Sequence, residues 1–253
     1  MSVQRFYDDL TEYYHLIYAN WDASLRRQGK HLDAIIRAYL PNGDLDVLDA
    51  ACGIGTQSIG LALSGAYRVT ASDLSPASVE RAQKEASARG AAVAFSAADM
   101  RHVFEHHGRR EFDVVLACDN AVPHLPDDGA LLHAVAELHR CTKQGGLCLI
   151  SVRDYSDYPG SGTQVHHYGV REQDGKRYVL LQVWDMSETM YHTDFYVIED
   201  DRFGPPVTRL ARGVYYPVTT DRLAAVMQEA GFSDVRRLDE AFFQPILVGV
   251  KKE

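Results

Sequence analysis

Three clusters in this chain have residue types and spacings suited to chemistry. The first is "VLDAACGIGTQSIG" at 47–60, in which Asp49 is followed by Ala51, Gly53 and Gly55. Side chains shrink there just as an apolar run gives way to a helical one, so a ligand can approach the backbone closely. Asp73 and Asp99 close the next two strand-like runs, "YRVTASD" and "AAVAFSAAD". A carboxylate at such a position accepts hydrogen bonds from hydroxyl or amino groups. The second cluster is "DNAVPHLP" at 119–126, with Asp119, Asn120 and His124. His124 is either a general base or a hydrogen-bonded structural histidine. The third is Arg153 in "SVRDY". Its guanidinium fork suits a ligand carboxylate; a surface pair with Asp154 or Asp157 is the bland alternative.

The elements that must position these groups alternate. Residues 7–18 read as a short aromatic-rich helix, and "KHLDAIIRAYL" (30–40) as a second helix that stops at Pro41. Strands are expected at 46–50, 67–73, 91–99, 112–118 and 145–152, with helices at 56–64, from Ser75-Pro76 to about Arg89, and at 128–142. The run "FDVVLAC" (112–118) is nearly all apolar, which marks a central strand covered on both faces. Alternation of this kind predicts a parallel sheet with helices on both sides and a ligand at the carboxyl ends of the strands. Residues 160–216 alternate and are rich in tyrosine and β-branched residues, as an antiparallel meander would be. A helix at 220–230 and two strands near 233–239 and 244–250 follow. The fold class is therefore α/β: a doubly wound, Rossmann-like, mostly parallel seven-stranded sheet with an antiparallel edge strand and an inserted antiparallel meander. The organisation expected is a helical lid at 1–45, a cofactor-binding domain at 46–155 and 217–253, and a substrate-side insertion at 156–216.

Three ligands compete for the 49–60 loop. A dinucleotide wants G-x-G-x-x-G, but the third slot is Ser58, and Gly60 comes two residues late. A phosphate loop wants lysine beside serine or threonine, and none is present. S-adenosylmethionine carries no phosphate; it needs backbone approach to its methionine half and an acid for its ribose hydroxyls, a place Asp73 can fill. Taken singly, the glycines could merely make a tight turn and Asp73 merely cap a helix. Their combination with five alternating units favours S-adenosylmethionine.

With these residues in place, the chain resembles class I S-adenosylmethionine-dependent methyltransferases from about residue 46 to 152 and again at "TTDRLAAVMQEAGFSDV". The resemblance implies that Asp49, Ala51, Gly53, Gly55, Asp73 and Leu74 hold the methionine and ribose ends, and that Asp99 and Met100 meet the adenine. Asp119 is counted with the cofactor set. More narrowly, "CDNAVPHLPD", "GGLCLISVRDYSDY" and "YYHLIYANWDASLRRQGKHLDAI" resemble glycine N-methyltransferase and the bacterial glycine/sarcosine methyltransferases. That likeness implies Arg27 on the cofactor carboxylate, with Arg26 as the alternate, Arg153 on the substrate carboxylate and Asn120 on the amino acid. It also implies that tyrosines such as Tyr14 surround the transfer site and that His124 and Asn120 take part in catalysis.

The expected activity is methylation of a small molecule, at nitrogen of an amino acid or related amine such as glycine or sarcosine. An O- or C-methyltransferase, or a protein that only binds S-adenosylmethionine, remains the alternative. A net charge of −9 on 253 residues is a poor match for nucleic acid, and "DNAVPH" lacks the N/D-P-P-Y/F arrangement of base modifiers. No apolar run reaches the roughly 20 residues of a bilayer span, and the N-terminus does not read as a signal peptide. A cytoplasmic protein with free cysteines is expected, with an oligomer left open. The histidines at 102, 106, 107, 166 and 167 lack partners at ligand spacing, so no metal is expected.

Overall fold

The structure, a computed structural model, describes residues 2–158 and 160–252. A short helix α1 (Val3–Leu10) and a 3-10 turn (Tyr14–Ile17) precede a long helix α2 (Trp21–Tyr39). The doubly wound core runs β1 (Leu45–Asp49), α3 (Thr56–Ala62), β2 (Tyr67–Asp73), α4 (Pro76–Ala88), β3 (Val93–Ala97), α5 (Val103–His106), β4 (Phe112–Ala117), α6 (Asp128–Cys141) and β5 (Thr142–Ser151). Four antiparallel strands follow: β6 (Gly162–Gln173), β7 (Lys176–Met186), β8 (Tyr191–Asp200) and β9 (Val207–Tyr215). Helix α7 (Thr220–Glu229), β10 (Ser233–Leu238) and β11 (Ile246–Val250) complete the chain.

The large sheet has the order β10-β11-β5-β4-β1-β2-β3, so strand order reverses between β1 and β4. The antiparallel strand expected at one edge is β11, which runs against both β5 and its outer neighbour β10. Strand β4 lies at the centre and splits its side chains between two cores. Val115 and Ala117 join α6 and α7, whereas Val114 and Leu116 join Leu32, Ile35 and Ile36 of α2. That double coverage is why its sequence is almost wholly apolar. All four cysteines are free and buried. Among the described residues, no helix is long and apolar enough to cross a membrane.

Two N-terminal expectations change. Helix α2 starts nine residues before the apolar stripe at 30–40, because Asn20 caps it by accepting from the Ala23 amide at 2.9 Å. Its first turns bury Ser24, Gln28 and Gly29, polar or small residues that interrupt the hydrophobic period. The aromatic stretch 7–18 is broken rather than helical throughout: α1 ends at Leu10, and Tyr13 and Leu16 turn with Phe6 and Leu10 onto Leu180, Phe195, Val197 and Ala211 of the small sheet. Helix α1 is also tied to the start of α4, where Ser75 donates to Asp8 at 2.5 Å and the Thr11 and Ser78 hydroxyls meet at 3.0 Å.

Gly60, two residues late for a dinucleotide fingerprint, has another purpose. A Cβ there would lie 2.4 Å from the Leu25 carbonyl oxygen, and one on Gly29 would lie 2.5 Å from the Gly60 carbonyl. Helices α2 and α3 therefore touch backbone to backbone. Behind them Asp49 is 1% exposed, its oxygens taken by Ser58 Oγ at 2.6 Å and by the Ala51 amide at 3.4 Å. Burial pushes its carboxyl up to about 6; the two hydrogen bonds oppose the rise and the Asp73 charge adds to it.

Two outcomes follow for stability. Gly60→Ala must part α2 from α3 and is expected to cost about 1–3 kcal/mol, read as a lower urea midpoint; an unchanged midpoint would refute the close approach. Asp49 is an acid raised in the folded state, so its contribution is complete below its unfolded value of about 3.9 and is lost as pH climbs through about 6. Asp49→Asn is expected to gain roughly 2 kcal/mol on the native chain between about pH 4 and pH 8, measured by urea unfolding at both ends.

Candidate active site

At the carboxyl ends of β1 and β4, beside the reversal in strand order, two cavities meet. The first, of about 310 Å³, is lined by Ala51 and Gly53 of the loop, Asp73 and Leu74 after β2, and Asp99 and Met100 after β3. The loop is stitched down on both sides: Ala50 donates to the Leu116 carbonyl at 2.9 Å and Cys52 to that of Ser72 at 3.0 Å. Gly53 (φ 52°) and Gly55 (φ 92°) are both left-handed, a conformation that side chains disfavour. Nothing lies within 4 Å of where a Gly53 Cβ would stand, so its face toward the cavity is open. Its amide donates to Asp73 Oδ2 at 2.8 Å, and the Ser75 amide to Asp73 Oδ1 at 2.9 Å. Each Asp73 oxygen keeps acceptor capacity for a ribose diol. Burial raises the Asp73 carboxyl, against those two amides.

Several residues assigned to the cofactor stand outside this cavity. Asp49 braces the loop from behind and does not line the cavity; Gly55 sits behind it too, as the N-cap of α3. Arg27 and Arg26 are exposed on the outer face of α2, and Arg27 donates to Ser24 at 3.1 Å. Helical spacing sends Trp21, Leu25 and Gln28 inward and residues 26 and 27 outward. The cavity wall near α2 is instead Thr56 and Gln57, held by Trp21 Nε1 (3.0 Å) and by Gln28 Oε1 (2.7 Å). Asp99 lines the cavity, yet Arg101 grips its carboxylate at 2.5 Å. Burial would raise Asp99; Arg101 outweighs it and holds Asp99 below the usual range.

The second cavity, about 470 Å³, is walled by Asn120, Arg153, Tyr18, Tyr168 and Tyr215, while Tyr7, Tyr14 and Asp119 line both cavities. Asp119 (φ 59°) and Asn120 (φ 66°) form a left-handed turn after β4, anchored where Asp119 N donates to Ser151 Oγ (2.8 Å) and Asn120 N to the Ser151 carbonyl (3.0 Å). Asn120 is 4% exposed and spends its amide on the protein: Nδ2 donates to Tyr155 Oη at 2.9 Å and Oδ1 accepts from Arg153 N at 3.1 Å. It therefore ties Arg153 to Tyr155 and keeps one Nδ2 hydrogen and one Oδ1 lone pair to spare. Tyr14 reaches Asp119 Oδ2 at 3.4 Å and Tyr18 reaches it at 2.8 Å.

Arg153 donates to Tyr168 Oη at 3.3 Å and lies 5.3 Å over the Trp184 ring. The surface pair with Asp154 does not form. Asp154 is bound instead by Arg237 and by Thr220 Oγ1 at 2.8 Å, and among the described residues no acid forms an ion pair with Arg153. His124 borders the first cavity and not the second. Its Nδ1 faces the Val214 carbonyl at 3.2 Å, and its Nε2 faces Tyr7 Oη at 2.7 Å. A carbonyl only accepts, so Nδ1 carries the hydrogen and Nε2 accepts from Tyr7. Burial brings His124 down to about 4, the Val214 contact opposing and Arg153 assisting. As a base His124 could act only through Tyr7, a residue the sequence did not single out. Tyr18, Tyr168 and Tyr215 were likewise hidden among fourteen tyrosines.

Residues 47–146 match the methyltransferase domain family. Over 163 residues the chain is 31% identical to a glycine/sarcosine N-methyltransferase of Parasynechococcus marenigrum, a stretch covering 64% of this chain and 55% of the relative. The chain thus spans about half the length of that curated relative. DesVI of Streptomyces venezuelae shares the fold with a TM-score of 0.79 at 18% identity, over 94% of this chain and 97% of that one. CalS10 of Micromonospora echinaspora, an amino pentose methyltransferase solved with S-adenosylmethionine bound, does so with a TM-score of 0.78 at 18% identity, over 94% of each chain. Over residues 47–146 the chain is thus similar to the methyltransferase domain family, and its fold is the one that DesVI and CalS10 share.

Proposed function

We propose that this protein methylates the nitrogen of a small amine bearing an anionic group, an amino acid or a related compound, in the cytoplasm. One observation carries the reading: a guanidinium without an ion-pair partner among the described residues, Arg153, faces a tyrosine-lined cavity that joins the cofactor cavity at Tyr14 and Asp119. A half-buried cation in an aromatic wall gains most from a ligand anion it can bind through two N–H groups. Two relatives support the amine, one named for glycine and sarcosine, the other for an amino pentose. The cavity volume of about 470 Å³ leaves room for acceptors larger than glycine.

The residues present fit the cofactor. Gly53 would let its methionine portion reach the backbone, Asp73 would accept from its ribose hydroxyls, and Leu74 and Met100 would border the rest. When bound, S-adenosylmethionine supplies a methyl group already activated on a sulfonium. The protein's task is then alignment and exclusion of water. Tyr7 and Tyr14 line the junction with π faces and hydroxyls that favour a cation. Burial raises both hydroxyls well above their ordinary value, so they remain protonated donors there. Asn120 and Tyr168 hold Arg153 where an acceptor's anion would dock.

The test is S-adenosylhomocysteine formation over a panel of amino acids, amino sugars, plain amines and phenols. Turnover is expected for amines that carry an anionic group. Arg153→Gln is expected to cut kcat/KM for those acceptors by about 10² or more, and Arg153→Glu to abolish it, with cofactor affinity by calorimetry unchanged in both. Turnover that survives Arg153→Glu, or a panel in which only phenols react, overturns the reading.

A further inference from the structure

We propose that Asp119 is the group that receives the acceptor's amine, binding its ammonium form at the junction of the two cavities and taking one proton from it. This rests on the amine reading above and reassigns a residue first counted with the cofactor. Asp119 sits at the end of β4 and lines both cavities. The chain holds it in a left-handed conformation at φ 59°, next to a second such residue, Asn120, at φ 66°. Strain of this kind, in two consecutive non-glycine residues, persists only where the surroundings enforce it and tends to gather at functional sites. Here the Ser151 hydroxyl and carbonyl enforce it.

The charges in the second cavity point the same way. Tyr18 and Tyr14 both donate to Asp119 Oδ2. Among the described residues Oδ1 makes no hydrogen bond, and no basic side chain forms an ion pair with Asp119. Arg153, on the same cavity wall, has no ion-pair partner either, and the two do not pair with each other. The cavity thus holds a carboxyl group and a guanidinium that sense each other's charge without forming an ion pair, each with hydrogen-bonding capacity left for a ligand. A ligand with an ammonium at Asp119 and an anion at Arg153 answers both at once. It also leaves its nitrogen at the junction with the cofactor cavity.

The proton step balances within these groups. One N–H bond of the ammonium breaks, an O–H bond forms on Asp119 Oδ1, and the nitrogen keeps the electron pair it needs as a nucleophile. The proton later leaves Asp119 for water. Burial raises the Asp119 carboxyl above its ordinary value, against Tyr18, Arg153 and Tyr14, and so makes it a better acceptor for that proton.

Calorimetry on the S-adenosylhomocysteine complex tests this without turnover, using 4-aminobutyrate against butyrate and β-alanine against propionate. The native protein is expected to bind at least one amino probe about tenfold or more tightly than its partner lacking the amine. Asp119→Asn keeps an oxygen for Tyr14 and Tyr18; it is expected to erase that preference while leaving S-adenosylhomocysteine affinity within about twofold and butyrate and propionate bound no more weakly than by the native protein. Urea unfolding checks that the variant is folded. No preference in the native protein, including no binding of either amino probe, overturns the proposal. So does a preference that survives in Asp119→Asn, or a loss confined to S-adenosylhomocysteine. The amine reading is judged separately by the acceptor panel: ammonium preference without amine turnover refutes that reading, and amine turnover with the preference unchanged in the variant refutes the role of Asp119.

Discussion

The Asp73 carboxylate is the point on which the first cavity depends. By accepting from Gly53 N at 2.8 Å and Ser75 N at 2.9 Å it joins the loop after β1 to the start of α4. Neither amide has a partner inside regular structure, and leaving such groups unpaired near a buried site costs about 1–3 kcal/mol each. The carboxylate answers both and still keeps lone pairs for a ligand. That bridge works because parallel pairing sets Asp49 opposite Ala71, so β2 runs two residues past the end of β1 and carries Asp73 up beside the loop. Gly53 must be left-handed for its amide to turn toward Asp73, which accounts for one of the two bare positions in "CGIG".

The second cavity is built on different terms. Its floor is the turn at Asp119 and Asn120 on the large sheet, and much of its wall is the face of the small sheet that carries Tyr168, Gln182, Phe195 and Tyr215. Helix α1 is the wedge between them: Phe6 and Leu10 pack on the small sheet, while Asp8 and Thr11 bond to α4. Tyr7 lies on that wedge and borders both cavities. The two cavities are thereby fixed relative to each other by the packing and hydrogen bonds of the N-terminal helix.

The doubly wound core was legible because its signals are local. Strand β4 advertises central burial by its apolar run, Ser75 and Pro76 announce α4, and the small-residue loop marks the turn after β1. What was not legible depends on which way a side chain points or on partners far away in sequence. Arg27 and Gln28 are neighbours in the chain, yet α2 sends one to solvent and the other to Gln57. Asp49 has the right place in the sequence for a ligand, but its oxygens are claimed by Ser58 and Ala51. Asn120 lines the second cavity, yet its amide also bonds Tyr155 and Arg153, 35 and 33 residues away. The tyrosines could not be sorted from sequence, because a core tyrosine and a cavity tyrosine obey the same alternation.

The most consequential of these long-range contacts are those of His124. His124 hangs between the Val214 carbonyl on β9 and the Tyr7 hydroxyl on α1, so it links the small sheet, the N-terminal helix and the loop after β4. The carbonyl fixes its tautomer, and Tyr7 fills the one nitrogen that could accept. Burial holds the ring near 4, so at neutral pH it remains uncharged, and a proton delivered through Tyr7 would leave a buried imidazolium with Arg153 as a like-charged neighbour. The carboxylate of Asp119 meets no such obstacle. A proton would turn it neutral, Oδ1 makes no hydrogen bond among the described residues, and Tyr14 and Tyr18 already steady the other oxygen. Of the two groups, the histidine is built to hold Tyr7 in place, and the aspartate is the one with capacity to spare.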